Sequence, residues 1–234
     1  MQGKINQIIL GSALALIFSS SIAFAEGTQV YVGVEGGANH MNFDTFPTPQ
    51  LPTEGFIGWS NSSSTTDANN AYANIHLGFL TPVNSDWSLG GQIGFANYGK
   101  ANSTQTQTLQ ALVLKSTVTT NYSDSYQAVF VEFVAQRSFG DADQYFVNLH
   151  AGAANFTVDQ TASSSVTGVP VSVNLDGQTG HGDVLTPMGG VGLGYKFSEH
   201  FNAYVNYTLI AGDNGVSYQL PMMNSLGLGV NYVF

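Results

Sequence analysis

Glu132 and His150 are the residues whose types and spacing best suit proton chemistry. Each sits in a run of strict alternation. Val129, Val131, Phe133 and Ala135 share one face, with Tyr126, Ala128, Phe130, Glu132 and Gln136 on the other. Tyr145, Val147, Leu149, Ala151 and Ala153 likewise oppose Phe146, Asn148, His150 and Gly152. A period of two is the mark of a strand, so both ionisable groups fall on the less apolar faces of two consecutive strands. A three-residue turn over Gly140–Ala142 would set Phe139 against Asp143 and bring Glu132 directly across from His150, with Cβ atoms roughly 4.5–5.5 Å apart. At that separation a carboxylate and an imidazole can share a proton. The plainer and preferred reading is a polar pair filling an interior. The sharper one is a proton-linked gate or catalytic dyad. No serine at a comparable height completes a nucleophilic triad.

Other polar residues have the same parity in their own runs. Glu35, His76 and Gln92 lie on the faces opposite Val34, Ile75 and Ile93, and Lys196 lies nearer the end of its run. A carboxylate removed from water needs donors, and Gln92, Asn148, His76, Asn206 and Tyr204 carry them. The expected site is therefore an interior network of Glu35, His76, Gln92, Glu132, His150 and Lys196. His40 and His181 have acids nearby, but no His-x3-His or similar spacing, so no metal set is expected. The chain has no cysteine, which excludes thiolate ligands and a disulfide framework. Nothing in the sequence calls for a cofactor.

Eight alternating runs hold these residues, beginning with Val30–Asn39, Ala71–Phe79 and Trp87–Phe95 and ending with Leu185–Phe197, Phe201–Leu209 and Ser225–Phe234. Each is near the 9–11 residues of a tilted membrane strand or slightly longer. If the apolar faces meet lipid, mid-run charges must all lie opposite, because a charge at lipid depth costs roughly 2–4 kcal/mol. Glu35, Glu132 and Lys196 obey this, and Arg137 has outward parity only at a strand end. Connections alternate between short (Thr81–Asp86, Gly140–Asp143, Ser198–His200) and long (Phe43–Asp67, Gly99–Asp124, Thr157–Gly182, Ala211–Met222). Aromatics gather at the short-turn end: Tyr31, Phe79, Trp87, Phe139, Tyr145, Phe197, Phe201, Tyr232 and Phe234. That is the pattern of an interfacial girdle.

Composition agrees. Charged residues make up 9% of the chain, against ~25% in soluble domains, yet mean hydropathy is only +0.05. A soluble barrel would hide its apolar face inside and charge its exterior, whereas here the second face is Gly, Asn, Gln, Tyr and Thr. Residues 1–25 read as a cleaved secretory signal, with Lys4, an apolar stretch from Ile8 to Phe18, and Ala23-Phe24-Ala25 as the cleavage site. Residues 26–234 form one domain. Beyond the signal, four bases (Lys100, Lys115, Arg137, Lys196) face 15 acids, a side-chain charge of −11. Such a chain does not bind nucleic acid by neutralising phosphates. Among the long connections, Asn61–Thr66 reads as a mobile low-complexity loop. Ser103–Thr120 and Phe156–Val173 are β-prone and read as strands continuing beyond the membrane, either with edges open to extended partners or as a shield over the barrel mouth.

Two stretches carry a family resemblance. One runs Pro187-Met-Gly-Gly-Val-Gly-Leu-Gly-Tyr-Lys-Phe197, turns at Ser198–His200, and continues Phe201-Asn-Ala-Tyr-Val-Asn-Tyr207. The other is Leu226-Gly-Leu-Gly-Val-Asn-Tyr-Val-Phe234. With these the chain resembles the OmpA/OmpX/opacity-type outer-membrane proteins. The resemblance implies an all-β, eight-stranded antiparallel up-and-down transmembrane barrel in the bacterial outer membrane. Its lipid partners would be outer-membrane lipid and lipopolysaccharide. The ending Val230, Tyr232, Phe234 looks like the signal read by the barrel assembly machinery. The family includes adhesins and structural anchors, so the leading expectation is a non-enzymatic surface protein whose loops contact a host or cell-surface ligand. The alternatives are a narrow low-conductance channel or carrier of small apolar molecules, and an outer-membrane lipid-modifying enzyme, for which no Ser/His motif is found.

Overall fold

The computed structural model describes residues 27–43, 59–111, 114–141, 143–168, 174–214 and 219–234. The expected signal segment, residues 1–25, lies outside the described residues. Eleven strands follow in order: β1 (Gln29–Asn42), β2 (Trp59–Asp67), β3 (Asn69–Pro82), β4 (Trp87–Ala111), β5 (Leu114–Phe139), β6 (Tyr145–Thr167), β7 (Asn174–Lys196), β8 (Phe201–Ile210), β9 (Asp213–Asn214), β10 (Gln219–Leu220) and β11 (Met222–Val233). Eight of them close a ring in the order β4-β3-β1-β11-β8-β7-β6-β5, with β5 returning to β4. Every pairing is antiparallel, and the first and last ring strands seal the barrel from Tyr31↔Val233 to Asn42↔Met222. A closed ring leaves no backbone edge at lipid depth, which is the condition for strands to cross a membrane.

The two faces separate as the alternation predicts. Outside, each ring strand presents a large apolar residue, among them Val34, Ile75, Leu89, Val131 (60% exposed), Leu149, Leu193, Val205 and Leu228 (70%). Inside, Glu35 (6%) and Glu132 (3%) are buried. This is the reverse of a water-soluble barrel and defines a transmembrane one. Phe79, Trp87, Phe139, Tyr145, Phe197, Phe201, Tyr232 and Phe234 are all exposed at the short-turn end. Tyr31, expected in that girdle, instead points inward and is buried, in keeping with its odd-number parity beside Glu35. Arg137 stays outside at the rim, 3.9 Å from Asp86 and 5.9 Å above the Trp87 ring. The face assignment carries a prediction. Val131→Arg should cost roughly 2–4 kcal/mol in a urea titration of folding in lipid vesicles. Asn121→Arg, on the same strand but exposed beyond the membrane, should be nearly neutral. Equal costs at the two positions would mean that the belt does not meet lipid.

β4 to β7 are 25, 26, 23 and 23 residues long. A membrane strand uses roughly 9–11, so about half of each projects past the barrel. The β-prone stretches are strands over 103–111, 114–120 and 156–167, as expected; residues 112–113 and 169–173 lie outside the described residues. Asn61–Thr66, expected to be a mobile loop, is part of β2. The cause is a break in β4. Pairing with β3 ends at Ala73↔Asn97, a bulge falls between Asn97 and Lys100, and Gly99 takes a positive φ of 81°. β4 thereby leaves β3 with an open edge, and β2 fills it from Asp67↔Asn102 to Trp59↔Leu109. His40 and His181 lie on β1 and β7.

The interior is layered. The outer half is packed by Met41, Tyr72, Tyr98, Tyr126, Phe130, Phe156, Ile210 and Met223, all buried. Tyr72 stacks on Tyr98 at 5.8 Å, and Tyr98 tilts against Phe156 at 5.3 Å. Rings on some strands lie over glycines on others. A Cβ on Gly229 would meet the Tyr204 ring at 2.2 Å, and one on Gly194 would meet Phe146 at 2.0 Å. The half nearer the short turns contains the polar site beside a smaller apolar cluster of Tyr31, Leu80, Val134 and Val233.

Candidate functional site

The structure changes how Glu132 and His150 meet. The turn after β5 spans residues 140–144, because Gly140 and Asp143 both adopt positive φ (91° and 54°) and the Asp143 amide donates to the Gly140 carbonyl at 3.2 Å. Pairing resumes at Phe139↔Tyr145, two residues from the expected register. Glu132 therefore opposes Gly152, and His150 opposes Val134. The pair forms diagonally instead, with His150 Nδ1 2.6 Å from Glu132 Oε1. Diagonal neighbours lie within reach of long side chains, so the partnership survives a register that would have separated shorter ones.

A chain of hydrogen bonds runs on from this pair. Directly across from Glu132 on β4, Gln92 Nε2 donates to Glu132 Oε2 at 2.7 Å, and the Tyr31 hydroxyl donates to Gln92 Oε1 at 3.0 Å. On the other side His150 Nε2 lies 3.0 Å from Asn206 Oδ1, and Asn206 Nδ2 reaches Glu35 Oε2 at 3.4 Å. The Tyr72 hydroxyl donates to Glu35 Oε1. Glycine makes these reaches possible. A Cβ on Gly190 would sit 2.6 Å from His150 Nε2, and one on Gly227 would sit 2.0 Å from the Tyr72 hydroxyl.

The donor and acceptor inventory fixes the proton content. Asn206 spends its amide nitrogen on Glu35 and Thr208, so its oxygen faces His150, and Nε2 must donate. Nδ1 faces a carboxylate oxygen, so one proton lies between Nδ1 and Glu132 Oε1. The pair is either imidazolium with carboxylate or neutral imidazole with carboxylic acid. Because His150's second nitrogen is occupied by an amide, no hydroxyl is positioned on it as a nucleophile. The arrangement can hold a proton; it has no acyl-transfer geometry.

The other expected members divide. His76 stands in a second cluster, with Nδ1 3.0 Å from Asn74 Oδ1, Nε2 3.0 Å from Asn231 Oδ1, and the Tyr204 hydroxyl 3.4 Å away. Lys196 joins neither group; at the rim its Nζ donates to Ser138 Oγ at 3.0 Å. Tyr31, Tyr72 and Asn231 are participants that polarity alone did not single out, although the parity of each placed it inside. Asn148, expected as a donor, leaves its Oδ1 without a hydrogen-bond partner among the described residues. Val230, Tyr232 and Phe234 sit on the outer face of β11 and beyond it, Tyr232 and Phe234 edge to face at 5.1 Å.

Beyond the membrane, Asp159 Oδ1 lies 2.7 Å from His181 Nδ1. That hydrogen bond holds the imidazole above its ordinary range, but the pair is exposed and contributes little to stability. Asp124 is buried on the inner face of the projecting sheet. Burial pushes its carboxyl up, with Gln160 and Tyr126 partly offsetting this. Among the described residues no group of three or more His, Asp or Glu could hold a metal ion.

The fold defines a class, the small eight-stranded transmembrane barrel, which is the architecture of the OmpA/OmpX/opacity type. Solved structures similar to this chain include Ail, the attachment invasion locus protein of Yersinia pestis, at 12% identity over 88% of this chain and 97% of that one, with a TM-score of 0.42. The N-terminal β-barrel domain of Pseudomonas aeruginosa OprF is 15% identical over 88% and 99%, with a TM-score of 0.38. OprG from the same organism is 13% identical over 88% and 96%, also at 0.38. These likenesses are distant, and the class rests on this chain's own ring closure and apolar belt. No protein-family model and no curated protein matches the chain.

Proposed function

We propose that the protein is a non-enzymatic surface protein of the bacterial outer membrane, whose barrel anchors a β-sheet for contact with a host or cell-surface ligand. The observation that carries this reading is the length of β4 to β7. Strands that only had to cross the membrane would stop near half that length. The surplus builds a projecting sheet, with β2 at one edge and, at the other, the stretch of β7 from Asn174 to Leu185, which among the described residues pairs only with β6. Open edges of this kind accept extended partners by strand addition. The cleavable-signal pattern of residues 1–25 and the ending Val230, Tyr232, Phe234 support export and handling by the barrel assembly machinery, with outer-membrane lipid and lipopolysaccharide around the belt. Exposed Asp67, Asp159, Asp183 and Asp213 favour a neutral or basic partner over a polyanion.

The test is to replace residues 100–124 by a short turn and, separately, to shorten 157–182 in the same way. Each variant is expressed in a non-adherent host strain. Both barrels should still show heat-modifiable gel mobility, and adherence gained from the full chain should fall at least tenfold in one or both. Adherence unchanged in both variants would overturn the reading.

A further inference from the structure

The interior is closed at one end and open at the other. Tyr72, Tyr98, Phe130 and Phe156 fill the outer half, and below them a void of about 20 Å³ has room for roughly one water. From Glu35 and His76 down to the short-turn rim lies a larger cavity of about 180 Å³, reaching Gln29, Ser198 and Glu199 at its mouth.

Two acceptors in its lining lack donors. Asn148 Oδ1 and Asn202 Oδ1 have no hydrogen-bond partner among the described residues, and both residues line the cavity. A buried acceptor left unmade is costly, and each such group calls for an explanation. Glu35 also lines the cavity. Its carboxylate offers about four acceptor positions and receives Tyr72, Tyr204 and one long bond from Asn206. The walls include the rings of Tyr31 and Tyr204, whose faces attract cations. At the mouth stand Lys196 and Glu199, one charge of each sign. His150, on the wall, and Glu132 behind it compensate each other. Glu35 is thus left as the uncompensated charge inside.

We propose that this cavity is a binding site for a small organic cation with several N–H donors, of the guanidinium or primary-ammonium class, entering from the short-turn end. The charge goes to Glu35, the N–H groups to Asn148 and Asn202, and the flat or alkyl part against the tyrosines. That this end faces the periplasm rests on the outer-membrane reading above; the binding itself does not.

The test uses the full barrel refolded in detergent, with methylguanidinium chloride as probe and sodium acetate at equal ionic strength as control. The side-chain amide resonances of Asn148 and Asn202 should shift saturably with methylguanidinium and not with acetate. Affinity should fall at least tenfold in Glu35→Gln and severalfold in Asn202→Leu, which removes an unpaired acceptor and orphans nothing. Should Glu35→Gln fail to fold, the wild-type saturation and Asn202→Leu decide the matter. The chain has no cysteine, so the entrance can be mapped. A bulky maleimide on Ser198→Cys should abolish binding, and one on Asn121→Cys should not. A linear, non-saturating response, an equal response to acetate, undiminished affinity in the variants, or blockage from position 121 in place of 198 would each overturn the proposal.

Discussion

Phe234→Asp should leave the chain unassembled in the periplasm, with surface-exposed barrel reduced to a few per cent of wild type. Stability does not account for so large an effect. Phe234 lies at the short-turn rim, exposed, its amide donating to the Val30 carbonyl at 2.9 Å and its ring against Tyr232. A charge at the interface costs roughly 0–1 kcal/mol, far less than at the midplane, and the backbone bond needs no particular side chain. The purified variant should therefore refold in detergent nearly as well as wild type, while export of the assembled barrel fails. That split distinguishes a recognition signal from a structural residue. Normal surface labelling of Phe234→Asp would remove Val230, Tyr232 and Phe234 from the assembly role. Equal loss in vivo and in vitro would make Phe234 a folding residue instead.

What the sequence shows and what it hides divide along physical lines. The faces are legible because side-chain direction has a period of two. Glu35, Glu132, Tyr72, Phe146 and Tyr204 all point inward as their parity requires, and Val131, Leu193 and Leu228 outward. Register is different, because it is set by the turn. Nothing in Gly140-Asp-Ala-Asp-Gln144 announces that Asp143 takes a left-handed conformation and draws Gln144 out of the strand. A slip of two keeps every side chain on its own face, so face patterning was blind to the error. β2 was hidden for a different reason. Its Ser/Thr run has no polarity alternation, and its partner edge exists only because a bulge at Gly99 frees β4 from β3. For Tyr31 residue type points to the girdle, whereas its parity, shared with Glu35, places it inside, and parity decides.

The same distinction explains the site. The sequence yields the members of the interior network, since charge at lipid depth is forbidden and inward parity is the remaining choice. It does not yield their wiring. Reach between strands depends on which opposing positions are glycine. Gly190 lets His150 pass over β7 to Asn206 on β8, and Gly227 lets Tyr72 meet Glu35 across β1 and β11. Lys196, by contrast, has inward parity but sits near the rim, where Ser138 is its partner.

Glu132→Ala should then destabilise the barrel by roughly 3–5 kcal/mol, the usual consequence of removing one partner from a buried ionisable pair. The loss has identifiable parts. His150 Nδ1 and Gln92 Nε2 each lose their acceptor at once, in an interior where each unsatisfied polar group costs roughly 1–3 kcal/mol. Glu132→Gln should cost far less, for a geometric reason. The new amide can donate its nitrogen to Nδ1 of a neutral His150, whose Nε2 proton stays on Asn206. Its oxygen then keeps the bond from Gln92 Nε2, and the Tyr31 hydroxyl stays a donor to Gln92. The network thus re-forms with every atom partnered and no carboxylate. In Glu132→Ala/His150→Ala the second change should cost less than His150→Ala alone, because the imidazole that Glu132→Ala orphans is gone, and a double-mutant cycle should show coupling well above about 1 kcal/mol. Urea titrations of folding in lipid vesicles measure all four species on one scale. If alanine and glutamine at 132 cost the same within about 0.5 kcal/mol, or if the cycle shows no coupling, Glu132 and His150 act independently and the diagonal pair is not what holds this layer of the interior.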